Sequence, residues 1–150
     1  MNIKERLIQY EGSKEYQRVR GYYRQDKFYP YVDTEGYGTI GYGHKILDSE
    51  IEKYKNGISA IDADLLLAWD IDRTVKDVKT LGLDLPQDWQ DFLVIMTFQL
   101  GLGGVKKFRK MLAALDRKDW KEAIRQAKDS LWHRQTPNRL DDMVKQLVNK

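Results

Sequence analysis

The chain contains no cysteine. That absence excludes a disulfide framework, a thiolate metal site and a cysteine nucleophile. Histidine is almost as scarce: His44 and His133 are the only two, so no histidine-rich metal centre is expected. Long apolar runs are also missing. The longest, FLVIM at 92–96, is far too short to cross a bilayer. The opening stretch MNIKERLIQYEG lacks the apolar core of a secretory signal. The expectation is synthesis in a cytoplasm, with no stable membrane insertion and release by some other agent.

What is present points to one globular domain. A chain of 150 residues can bury roughly 70% of the surface that its unfolded form exposes. The net charge is +3, but residues 105–150 carry 13 Lys/Arg against 6 Asp/Glu, and residues 1–104 carry 13 against 17. A basic C-terminal half suits an anionic polymer such as nucleic acid, an acidic membrane surface or a cell wall; solvated helix faces are the simpler explanation.

The patterning is mostly helical. Ile3, Leu7 and Tyr10 predict a helix over 2–11 that stops at Gly12. Residues 13–30, SKEYQRVRGYYRQDKFYP, are polar, basic and aromatic, and show no clear period. Residues 31–45 read as a hairpin, and 48–57 as a short helix ending at Gly57. Ser59 with Asp62 resembles a capping box opening a long helix with Ala63, Leu67, Ile71, Val75 and Val78 on one face. Beyond LPQD, the apolar stretch QDFLVIMTFQL predicts a buried helix broken by Gly101, Gly103 and Gly104. Amphipathic helices follow, the last with Thr136 as N-cap and Pro137 in the first turn. The expected class is α+β, mostly helical. A small β-hairpin lobe spans about 12–58 and a linking helix about 59–81. A helical C-terminal lobe spans about 86–150, with helix 2–11 assigned to it.

The hairpin YVDTEGYGTIGYGHK holds the densest chemistry. Asp33-Thr34-Glu35-Gly36 fits a type I turn, which is all that most such sequences are. In the strand expected after it, alternation places Thr39, Gly41 and Gly43 on one face and Ile40, Tyr42 and His44 on the other. The first face would be nearly bare backbone with one hydroxyl, as suits close approach by a ligand. Polysaccharide hydrolysis needs two carboxyl functions, one to protonate the leaving oxygen and one to activate water or attack the sugar. Glu11, at a helix end, is the candidate acid; spacing alone does not distinguish it from a surface glutamate.

Glu11-Gly12 and the run DTEGYGTIGYGH resemble the phage-type lysozymes, a family of glycoside hydrolases. The resemblance returns at Phe98-Gln99-Leu100-Gly101, at Gly104-Val105 with Phe108, at Trp132, and in QTPNR at 135–139. It implies Glu11 as general acid, with Asp33 and Thr39 activating water for inverting hydrolysis. The implied target is the β-1,4 bond between N-acetylmuramic acid and N-acetylglucosamine. It also implies substrate contacts at Phe98, Gln99 and, more weakly, Gln126. Arg139 would pair with the catalytic Glu, and His44 with Asp70. No metal or cofactor is implied. The implied partner is the peptidoglycan glycan strand rather than nucleic acid. The protein is expected to be a monomeric endolysin for host cell lysis, waiting in the host cytoplasm until a separate holin releases it.

Residues 13–30 depart from the family pattern, as an insertion between two implied catalytic carboxylates. They are either an elongated packing element or an extra lip on the substrate cleft, with aromatics for sugar rings and arginines for stem-peptide carboxylates. The stretch from His44 to Asp70 is shorter than in the T-even enzyme, and Ile95 replaces a buried polar residue. Two rivals remain at this stage. A lytic transglycosylase would need no Asp33–Thr39 pair, and a basic binding module would need none of the three.

Overall fold

The computed structural model describes residues 1–150. Helix α1, Ile3–Glu11, is capped by Asn2, whose carboxamide oxygen accepts the Glu5 N–H at 2.9 Å. It ends where Gly12 turns the chain with φ of 112°. The segment of uncertain structure resolves into helix α2, Lys14–Val19, and a hairpin. Ser13 caps α2 through the Tyr16 N–H. Strands β1, Tyr23–Arg24, and β2, Lys27–Phe28, pair across Gln25 and Asp26, both in the left-handed region.

A second hairpin follows. Strand β3, Tyr31–Val32, pairs antiparallel with β4, Gly38–Ile40, which pairs with β5, His44–Lys45. The single strand expected from Thr39 to His44 is therefore wrong. Gly41 and Gly43 have φ of 64° and 85°, a left-handed geometry that no β-strand sustains. The chain reverses there, and the alternating faces assigned to Thr39–His44 do not exist. Next come a 3₁₀ turn at Asp48–Glu50, helix α3, Ile51–Tyr54, and strand β6, Ile58–Ser59, which adds to β2. Tyr23, Phe28, Ile40, Tyr54 and Ala63 form a buried cluster beneath these strands.

Helix α4, Ala60–Lys79, starts as expected, with the Ser59 hydroxyl accepting the Asp62 N–H at 3.1 Å. Backbone contacts divide the chain into two compact units, Met1–Asp72 and Arg73–Lys150. Helix α1 thus groups with the hairpins, and the division falls within α4.

The second unit is helical: α5 Gln87–Lys106, α6 Arg109–Asp116, α7 Trp120–Lys128, α8 Leu131–Gln135 and α9 Pro137–Lys145. Trp89, Phe92, Leu93, Ile95 and Met96 of α5 are fully buried. Of its three late glycines only Gly101 leaves helical geometry, at φ 73° and ψ 161°; Gly103 and Gly104 stay within the helix. Thr136 precedes Pro137 but caps nothing with its side chain. Its hydroxyl instead donates back to the Trp132 carbonyl at 3.1 Å. No helix is long and apolar enough to cross a membrane.

Candidate active site

Glu11 is the last residue of α1 and packs against the β4–β5 turn. A methyl group built on Gly43 would stand 2.8 Å from the Glu11 Cγ and 2.9 Å from both Cδ and Oε2. Only glycine lets the backbone come this near the carboxyl at a positive φ.

Gln17, from helix α2, holds the same two segments together. Its side chain is buried, and Nε2 donates to the carbonyls of Gly12 and Gly41, both at 2.9 Å. One amide thus joins the end of the Glu11 helix to the turn that flanks Glu11. Its Oε1 has no partner. Gln17→Leu would leave two buried carbonyls without donors, so we expect a loss of about 2–4 kcal/mol in urea unfolding. Gln17→Glu, protonated in acid, has one O–H donor and should recover at most half of that loss there. Nothing in the sequence flagged this residue: within SKEYQRVRG it is one polar side chain among many.

Asp33 mounts the second carboxyl on the β3–β4 turn. Its Oδ1 accepts the Glu35 N–H at 2.9 Å and the Tyr37 N–H at 2.8 Å. Its own N–H donates to the Tyr37 carbonyl, and its carbonyl accepts the Gly36 N–H. The turn expected from D-T-E-G is present. Oδ2 takes no part in these bonds. Thr39 is buried and donates its hydroxyl proton to the Tyr37 carbonyl at 2.9 Å.

Tyr31 relates to all three residues, and sequence reasoning missed it. It stands directly opposite Thr39 in the β3–β4 ladder. Burial pushes its phenol well above the usual tyrosine range, and the negative charges of Glu11 and Asp33 push it further. The phenol therefore lies within electrostatic reach of both carboxylates. The Tyr22 ring stacks flat on Tyr31, with centroids 4.2 Å apart.

His44 opens β5 and bridges two acids. Its Nδ1 lies 2.8 Å from Asp70 Oδ2, as expected, and its Nε2 lies 3.1 Å from Glu50 Oε1. Sequence reading missed Glu50, because Leu47 has no side-chain acceptor and so makes no capping-box pattern with it; its carboxylate also accepts the Leu47 N–H at 3.1 Å. Burial alone would lower the His44 pKa, but the bonds to Asp70 and Glu50 outweigh it and raise it above 6.5. The resulting stability is complete below 6.5 and lost as pH rises through the folded value. For Glu50, burial acts upward, but the Leu47 N–H and His44 bring its pKa below 4.5. Its contribution is present above 4.5 and lost as pH falls through the folded value. The cluster is strongest between these limits. Asp70→Asn should cost more stability near about pH 5.5 than near about pH 9, as read from urea midpoints at both.

The other expected site residues lie in the second unit. Gln99, on α5, is buried and accepts the Trp132 Nε1–H at 2.9 Å; its Nε2 donates to the Thr136 hydroxyl at 3.4 Å. The amide is thereby fixed in orientation, and Trp132 and Thr136, both within the blocks of resemblance, are its anchors. Phe98 beside it is half-buried. Gln126, on α7, is half-buried and donates to Glu122 Oε1 at 2.9 Å. Arg139 is half-buried in the first turns of α9.

The fold is lysozyme-like α+β, with its short antiparallel sheets confined to the first unit. The phage lysozyme family model matches residues 25–149, and the chain belongs to that family. Membership supports a glycoside hydrolase of the lysozyme class. Relatives include the pre-baseplate central spike protein Gp5 of Enterobacteria phage T4, 34% identical over 134 residues. That match covers 73% of this chain but only 23% of the spike protein. A protein named probable T4-type lysozyme 2, from Dictyostelium discoideum, is 31% identical over 144 residues. Probable T4-type lysozyme 1 of the same organism is 28% identical over 144 residues. Both matches cover 79% of this chain and 85% of the relative. The family match begins at Gln25, so Glu11 and the whole of α2 precede it.

Proposed function

We propose that this protein is a muramidase that hydrolyses the β-1,4 bond between N-acetylmuramic acid and N-acetylglucosamine in peptidoglycan. The supporting observation is the grouping around Tyr31: two carboxylates charge its surroundings, and Thr39 faces it across the ladder. Glu11 protonates the glycosidic oxygen as the bond breaks. Asp33 takes a proton from water through Oδ2, since Oδ1 is held by two backbone N–H groups. The Thr39 hydroxyl donates its hydrogen bond to the Tyr37 carbonyl. It meets that water only as an acceptor, which turns a lone pair of the water toward the anomeric carbon. Attack from the face opposite the leaving group inverts the anomer.

The resemblance alone supports Phe98, Gln99 and Gln126 as sugar contacts and Arg139 as the cation that steadies Glu11. The basic C-terminal half favours an anionic wall by its field. We further place the protein, as a monomer, in the host cytoplasm until a holin admits it to the wall, for host lysis.

The test is product chemistry on purified sacculi. The expected products carry new reducing N-acetylmuramic acid ends, first released as the α-anomer in proton NMR. 1,6-Anhydro ends would instead identify a lytic transglycosylase. No soluble product from any wall type would leave a binding protein.

A further inference from the structure

Along α2 and the turn after it runs an open groove of about 630 Å³, lined by Glu15, Tyr16, Val19, Arg20 and Tyr22. Two observations make it continuous with the chemistry. The Tyr16 ring packs on Gly12, the residue after Glu11, where an added methyl would stand 3.1 Å from a ring carbon. Tyr22 stacks on Tyr31, with centroids 4.2 Å apart, and Tyr31 faces Thr39 across the β3–β4 ladder. The groove thus starts one residue from the proposed acid and runs out along α2.

Its lining selects a class of ligand. Val19 is 80% exposed and Tyr16 50%, so apolar carbon stands in solvent here. The two ionised groups are one of each sign, so the groove offers no net charge to a carboxylate. Arg20 lies over the Tyr16 ring, its guanidinium carbon 4.3 Å from the centroid. Glu15 is bridged to Arg18 at 3.0 Å. Both keep hydrogen-bonding edges beside an aromatic and aliphatic wall. A neutral pyranose has the matching surface: an apolar C–H face with hydroxyls around its rim. The groove lies before the residues that the family model matches.

We propose that the α2 groove is an additional saccharide subsite, holding a sugar of the glycan strand beyond those flanking the cleaved bond. The inference rests on the muramidase reading above. The test uses the full-length Glu11→Gln variant and peptide-free glycan strands prepared by amidase from purified sacculi, fractionated by length. Calorimetry gives affinity, and amide NMR shows which residues meet the strand. Affinity should keep rising with length after the short strands are bound, with the Tyr16 and Val19 amides shifting only for the long ones. Tyr16→Ala with Val19→Ser should weaken long-strand binding fivefold or more, with a smaller effect on short strands. Long strands that bind equally well to the double variant, with no shift on α2, overturn the subsite and leave the muramidase reading intact. Shifts on α2 caused by free stem peptide and not by stripped strands overturn it in favour of peptide recognition. Failure of parent enzyme and variant alike to engage strands of any length removes both readings.

Discussion

Gly43→Ala is expected to cost about a hundredfold or more in kcat, and the fold little beyond the strain of one left-handed alanine. The new methyl group would meet Glu11 Cγ, Cδ and Oε2 at 2.8–2.9 Å, closer than real side chains stand. These atoms end a flexible side chain, so the carboxyl swings aside and the backbone stays. A displacement of about 1 Å at a catalytic group is enough for a hundredfold loss. The left-handed φ adds about 1–2 kcal/mol. Gly82→Ala supplies the control: φ is 68° there, and nothing lies within 4 Å. It should lower the melting temperature by a similar amount and keep the parent's rate. Glu11→Gln should remove about 10²–10⁴ in rate with a near-parental melt. A Gly43→Ala enzyme as fast as the Gly82→Ala control would show that Glu11 is not the acid, or is not held where it is drawn.

The second large effect separates the two duties of Asp33. Its Oδ1 organises the turn by accepting two N–H groups, and the ionised carboxyl is proposed to take a proton from water. Asn keeps an acceptor oxygen and loses the base. Asp33→Asn should therefore melt near the parent and lose about 10²–10⁴ in kcat. Asp33→Ala should lose a comparable rate and about 1 kcal/mol of stability as well. Thermal melts beside rates on purified sacculi read both. Full activity in a folded Asp33→Asn, with Glu11→Gln inactive, would point to transglycosylase chemistry, in which no water is activated.

Much of the first unit could be read in advance because its signals are local. The stop of α1 at Gly12, the D-T-E-G turn, the Ser59 cap and Pro137 at the head of α9 each depend on a few neighbouring residues. The strand over Thr39–His44 failed because alternation counts side chains and takes no account of φ; two left-handed glycines outweighed it. Thr136 stands at the N-cap position as expected, but its side chain caps no N–H, and its hydroxyl donates to the Trp132 carbonyl. Tyr31 and Gln17 escaped notice for a different reason. Tyr31 lies in the hairpin that was read, but it matters through its register opposite Thr39, which the turn alone did not fix; Gln17 matters through Gly41, 24 positions away.

The clasp made by Gln17 also bears on what residues 13–30 do as a piece. The sequence left two readings open, a packing element and a lip on the cleft, and Gln17 makes the segment a packing element whatever its outer surface binds. With the amide of α2 joining Gly12 to Gly41, removing the segment would release the end of the helix that carries the proposed acid as well as the groove surface. A shortened chain would need another donor between Gly12 and Gly41 to keep that end in place.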